Sequence, residues 1–302
     1  MPAHPFIDFH YPGGPTAVLL VHGLTGTPSE MKITAKGLAR AGYSVYGAKL
    51  AGHCGSEADL IATTAEDWLA SALSAFDHIR TTHETVIVGG LSMGALLALL
   101  VARERPGQVA GCLAYAPTLF YDGWSIPKAS ILLRSAVTLG FGRFIRFREA
   151  YPYGIKDERL RARIVNAMEA GDAAAAGHLY MSGLSLRELL RIIARVKREA
   201  GAIRTPTLIL QAREDDVASV RNASFLAARL GGQAEKILLE DSYHMITIDR
   251  ERDLVVAHSL DFLRRLEARR AEPALPRAPA RTGRGDTAIA FPLAEQEPAY
   301  GL

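Results

Sequence analysis

An apolar run, Thr85-Val-Ile-Val-Gly89, leads straight into Gly90-Leu91-Ser92-Met93-Gly94, and an apolar, helix-forming stretch follows from Ala95. A strand, a G-x-S-x-G turn and a helix in that order leave few folds open. The turn must be sharp, it must hold the serine above the end of a sheet, and glycines two residues to either side keep Cβ atoms out of the bend. The helix that follows aims its first amides at the serine, where negative charge would develop in an attack on a carbonyl.

The rest of the chain supplies the sheet this turn needs. Ala17–Val21 (AVLLV) reads as a buried strand, and further runs lie at Ser44–Ala48, Val109–Ala116, Thr207–Leu210 and Lys236–Leu239. Helical patterns at Ser29–Ala41 and Ala65–Arg80 separate the early strands. That alternation predicts an α/β fold, a mostly parallel central sheet flanked by helices. It breaks between Pro117 and Thr205, a stretch too long for a structureless loop, where Lys128–Leu139, Lys156–Glu169 and Ser185–Ala200 read as helices. The last of these carries Leu186, Leu189, Leu190, Ile193 and Val196 on one stripe. The predicted organisation is therefore a core in two parts, 1–117 and 205–270, with a helical cap insertion at 118–204. Residues 271–302, rich in Pro, Ala and Gly, read as a disordered tail.

Composition removes several function classes. With 2 cysteines, Cys54 and Cys112, neither a disulfide scaffold nor a thiolate metal site has its minimum set. The N-terminus lacks the basic and apolar regions of a signal peptide, and no apolar run reaches the length of a membrane span, so a cytoplasmic location is expected. Net charge is +3 with basic residues spread along the chain, which gives nucleic-acid binding little support. Residues 118–200 hold 14 Lys and Arg against 8 Asp and Glu, a local excess that suits an anionic substrate or membrane surface if it is not simply a solvated face. No dinucleotide fingerprint, phosphate loop or His-Glu metal motif occurs, so catalysis without a cofactor is expected.

A serine alcohol needs a base to take its proton. Among 9 histidines, His244 lies in Asp241-Ser242-Tyr243-His244-Met245, between the last predicted strand and the final helix, where a loop reaches back toward the serine. The carboxylate that would orient it lies in Arg213-Glu214-Asp215-Asp216, one strand earlier; Asp215 and Asp216 both satisfy the order Ser, Asp, His. Asp241 reads instead as a turn residue. For the oxyanion, the natural donors are the amides of Met93, directly after the serine, and of Leu24 in His22-Gly-Leu-Thr-Gly26. His22 reads as a brace for that loop, and Ser29 with Glu30 as a helix start. Ala51-Gly-His-Cys54-Gly55 either walls the pocket or turns the chain, and Cys112 reads as a packed core residue.

Taken together, HGLTG at 22–26, AGHCG at 51–55, GLSMG at 90–94, QAREDD at 211–216 and DSYHMITID at 241–249 resemble the bacterial carboxylesterases and monoacylglycerol lipases of the α/β-hydrolase superfamily. The resemblance spans Thr16 to about Leu266 and is weakest over the cap. It implies the α/β-hydrolase fold, a triad on Ser92, Asp215 and His244, and oxyanion donors at Leu24 and Met93. Where this chain has Cys54, family members often have glycine. The implied reaction is cleavage of a small-molecule acyl ester of medium chain length, a monoacylglycerol among them, through an acyl-enzyme. The same triad serves a thioesterase or amidase, and the same scaffold serves a non-catalytic binding protein. Apolar cap residues, including Val137, Leu139, Phe141, Phe144, Ile145 and Phe147, are expected to pack on the core, line an acyl channel or touch membrane lipid. The sequence specifies no oligomeric state.

Overall fold

The computed structural model describes residues 4–127, 135–171 and 177–271. In chain order its elements are β1 (Ile7–Tyr11), β2 (Thr16–Val21), α1 (Lys32–Arg40), β3 (Ser44–Ala48), α2 (Glu57–Ile61), α3 (Ala65–Arg80), β4 (Thr85–Leu91), α4 (Met93–Glu104) and β5 (Val109–Tyr115). The cap follows with β6 (Arg146–Arg148), α5 (Glu158–Glu169), β7 (Tyr180–Ser182) and α6 (Gly183–Glu199). The core resumes with β8 (Thr207–Ala212), α7 (Arg221–Arg229), β9 (Ala234–Leu239) and α8 (Arg252–Ala271).

Seven strands form one sheet in the order β1-β3-β2-β4-β5-β8-β9. Every neighbouring pair is parallel except β1 with β3. The strand order reverses between β2 and β4, so the elbow at the carboxyl end of β4 stands at the point where loops diverge to either side and leave a crevice. Helices cover both faces, which is why β2, β4 and β5 read as near-continuous apolar runs rather than alternating ones. α4 is buried on every side from Met93 to Ala102, between the sheet and the helices α3 and α6. A helix apolar all round is stable only when enclosed in this way.

The strands β1, β6 and β7 lie outside the sequence expectation. β1 is an antiparallel edge strand whose residues alternate between partly buried and exposed, so it carries no apolar run. β6 and β7 pair as a short antiparallel ribbon within the cap, with Phe147 opposite Met181; three residues per strand are too few to show a period. In α6 the buried stripe runs through Leu186, Leu189, Ile192, Ile193 and Val196, with Leu190 at its margin. α5 starts at the side chain of Asp157, which accepts a hydrogen bond from the Leu160 amide at 2.9 Å. Most of the helix expected at Lys128–Leu139, and the tail from 272 onward, lie outside the described residues.

Candidate active site

The elbow is visible in the backbone. Ser92 has φ +56° and ψ −114°, a strained conformation for a residue with a Cβ, and its amide donates to the Tyr115 carbonyl of β5 at 2.8 Å. The flanking glycines are required by space. A Cβ on Gly90 would lie 2.4 Å from the Gly94 carbonyl group, and one on Gly94 would lie 2.2 Å from the Val21 carbonyl oxygen. β2, β4 and α4 thus meet at backbone distance, and Met93, as the first residue of α4, presents an amide with no acceptor one turn earlier in its helix.

The loop after β2 lies against the elbow: a Cβ on Gly23 would sit 3.7 Å from the Ser92 Cβ. The loop is held from three sides. Buried His22 lies with Nδ1 2.8 Å from the Gly23 carbonyl oxygen, to which it donates, and its Nε2 accepts the Leu50 amide at 3.3 Å. Burial pushes this imidazole down to about 4, so it is neutral and serves as a brace. Glu30 accepts the Gly23 amide at 3.1 Å and the Thr27 amide at 3.3 Å. Withdrawal from water pushes the Glu30 carboxyl up to about 7 against the lowering effect of those bonds. From the cap, the His178 amide donates to the Thr25 carbonyl at 2.9 Å. A short 3-10 helix, Pro28–Met31, precedes α1, and its start belongs to Thr27, whose hydroxyl caps it in a capping box with Glu30, rather than to Ser29.

Asp215 follows β8 and His244 follows β9, both at the same carboxyl edge of the sheet. The Asp215 carboxylate oxygens lie 3.1 and 3.0 Å from His244 Nδ1. Four further interactions fix the pair. The amides of Val217 and Ala218 donate to Asp215 Oδ1 at 2.9 and 2.7 Å, the Gln211 side-chain amide donates to Oδ2 at 2.5 Å, and the His244 amide donates to Asp216 at 3.2 Å. Burial alone would pull the His244 imidazole down. The charge of Asp215 and its hydrogen bond, followed by the charges of Asp216 and Glu149, outweigh that, so its pKa lies above the ordinary 6.5. Among the described residues Asp216 makes no hydrogen bond to the ring; it braces backbone instead, accepting also from the Gly154 amide at 3.2 Å. Its carboxyl is raised, chiefly by burial.

The Ser92 hydroxyl meets a residue that sequence reasoning passed over. Its Oγ lies 3.0 Å from Oγ1 of fully buried Thr118, and among the described residues no hydrogen bond joins it to His244. Glu149 is equally silent in the sequence; from the cap, its charge interacts with those of His244, Asp216 and Glu30. Only the Thr27-Pro-Ser-Glu30 pattern gave a signal, that of a capping box. Of the remaining residues singled out, Asp241 is an exposed partner of Lys156 at 2.9 Å and Arg250 at 3.1 Å. Cys54 lies partly exposed at φ +66°, and His53 is buried beside it with its ring 4.9 Å from that of His22. Cys112 is buried in β5, its thiol pushed up to about 12 by loss of water.

A strained serine on a strand-to-helix turn, at the carboxyl edge of a mostly parallel sheet whose later loops bring an Asp–His pair to the same edge, defines an α/β-hydrolase. Residues 15–251 match the family model of the serine aminopeptidases, S33, and the chain belongs to that family. It is 30% identical over 255 residues to the thermostable monoacylglycerol lipase of Bacillus sp. (strain H-257), covering 84% of this chain and 92% of that one. Against the carboxylesterase of Bacillus subtilis (strain 168) the identity is 26% over 263 residues, covering 86% and 96%. Among solved structures, one of the metagenome-derived lipolytic enzymes LipS and LipT superposes with a TM-score of 0.73 at 27% identity, covering 85% of this chain and 96% of that chain. The monoacylglycerol lipase of Paleococcus ferrophilus shares the fold, with a TM-score of 0.71 at 21% identity over 85% and 98% of the two chains. This chain is a serine hydrolase of the ester-cleaving kind.

Proposed function

We propose that the protein hydrolyses small carboxylic esters of medium-chain acids, monoacylglycerols foremost, through an acyl-enzyme on Ser92. His244 takes the Ser92 proton as the hydroxyl adds to the carbonyl carbon, and Asp215 holds the imidazole with Nδ1 protonated and stabilises the imidazolium. The amides of Leu24 and Met93 receive the oxyanion. The imidazolium then protonates the departing alcohol, and water activated by the same ring releases the acid. The observation that carries this reading is the Asp215–His244 pair, held by two backbone amides on the carboxylate and set at the sheet edge that carries the strained Ser92.

Similarity to a monoacylglycerol lipase and a carboxylesterase supports an ester substrate. On the cap surface Leu139, Phe141 and Phe144 are 76%, 57% and 72% exposed, and the Arg143 guanidinium stacks 4.5 Å over the Phe144 ring. Apolar side chains beside a cation are the composition that rests on a lipid interface, so peripheral membrane contact through the cap belongs to this reading. Val137 is buried, and Ile145 and Phe147 pack on the core instead. The free thiols of Cys54 and Cys112 suit a cytoplasmic location. Rates over p-nitrophenyl esters of increasing acyl length, beside monoacylglycerols, acyl thioesters and anilides, test the substrate: the reading expects a maximum at medium length and turnover of monoacylglycerols, and rates flat with length would overturn it. Sedimentation with anionic vesicles, lost in Phe141→Ser/Phe144→Ser, tests the membrane contact.

A further inference from the structure

Thr118 stands directly after β5 in Ala116-Pro117-Thr118, and its single hydroxyl proton faces two acceptors. Its Oγ1 is 3.0 Å from Ser92 Oγ and 3.3 Å from the Ala116 carbonyl oxygen. Ala116 is fixed in a left-handed conformation, φ +43°, by donation of its amide to the Leu210 carbonyl of β8 at 2.8 Å. A non-glycine residue held there is strained, and such residues cluster at working sites. While Thr118 donates to Ala116, its lone pair receives the Ser92 proton, and the nucleophile rests on Thr118. Once Ser92 is acylated, Oγ has no proton left to give, and the only hydroxyl that can point along that line is that of Thr118.

We infer that Thr118 is a further catalytic residue of this site, a hydrogen-bond donor to Ser92 Oγ during breakdown of the acyl-enzyme. The inference rests on Ser92 being the nucleophile and adds a step-specific role to that reading. In deacylation a water oxygen bonds to the acyl carbon while its proton passes to His244 Nε2. The tetrahedral intermediate then collapses: the carbon–Oγ bond breaks, its electron pair returns to Oγ, and the proton on Nε2 joins it. Negative charge gathers on Oγ in that second half, and a donor 3.0 Å away lowers the barrier. Acylation gains far less. There the hydroxyl must first leave Thr118 to meet His244, and that loss offsets what donation to the developing alkoxide returns.

Thr118→Val, which keeps the shape and removes the hydroxyl, separates the two steps. With enzyme in excess over p-nitrophenyl butyrate, p-nitrophenolate release reads acylation, and intact mass after acid quench reads the lifetime of the butyryl adduct. The expected result is an adduct that persists about tenfold longer, the worth of one hydrogen bond to a charged oxygen, with acylation within about threefold of wild type. Thr118→Ser restores the short lifetime. Equal slowing of both steps in Thr118→Val would mean a merely structural role, and unchanged deacylation would also overturn the inference. Fluorophosphonate labelling of wild type runs alongside: absence of label and of any adduct on Ser92 would refute the nucleophile itself, whereas normal labelling with unchanged lifetimes refutes only the role of Thr118.

Discussion

Glu30 holds the amide of Gly23 at 3.1 Å, and through it the backbone that leads to Leu24 beside the elbow serine. A carboxylate pinned to two amides of one loop, with its pKa at about 7, is a positioning group whose removal frees the loop without touching substrate. Glu30→Ala is expected to lower kcat by ten- to hundredfold, the scale of a slightly misplaced donor, while KM changes little. Steady-state kinetics on a short-chain ester check this. A rise in KM at constant kcat would show that Glu30 serves binding instead.

The two neighbouring carboxylates should separate sharply. Asp215→Asn leaves the shape but puts the wrong hydrogen-bonding group beside His244 Nδ1, and kcat should fall by about 10⁴-fold. Among the described residues the Asp216 carboxylate hydrogen-bonds only the backbone amides of His244 and Gly154, so Asp216→Asn should lower kcat far less and show mainly as a lower Tm. Kinetics and thermal melts of both variants decide the assignment.

The acid limb of kcat/KM should report the imidazole, which must be neutral to act as base. Its pKa is raised above 6.5 by Asp215 against the pull of burial, so activity should begin to fall on the alkaline side of 6.5 as pH decreases. Asp216→Asn removes one of the charges that raise it and should shift the limb to lower pH; a limb unmoved in that variant would contradict the electrostatic account.

Stability should depend on pH through His22. Its folded pKa is about 4 against an ordinary 6.5. Between those values the unfolded chain binds the proton and the native one does not, so this group's contribution is present above pH 6.5 and is lost as pH falls toward 4. The full loss is about 3 kcal/mol, at 1.36 kcal/mol per pH unit. Urea unfolding from pH 7 to 4.5 should show a shallower slope in His22→Gln than in wild type.

Much of this arrangement is legible in the sequence, and the part that is not has physical reasons. Strands β2, β4, β5 and β8 announce themselves because helices on both faces demand continuous apolar runs, whereas β1 needs only half a face and the ribbon β6–β7 is too short to carry a period. The elbow is legible because Gly90 and Gly94 answer a backbone clash that no other residue avoids. Asp215 and Asp216 cannot be separated by pattern, since loop neighbours share every periodicity; only the turn after β8 decides which carboxylate meets the ring. Thr118 and Glu149 carry no signal because their roles come from what the fold places opposite them, Ser92 in one case and His244 in the other.

The most direct test of the central claim is intact-mass analysis after treatment with a fluorophosphonate, paired with ester hydrolysis, for wild type and Ser92→Ala. The account predicts one phosphonyl group on Ser92 of the wild type with complete loss of hydrolysis, and neither label nor hydrolysis in Ser92→Ala. Hydrolysis that survives in Ser92→Ala at a comparable rate, or a label carried by another residue, would contradict it.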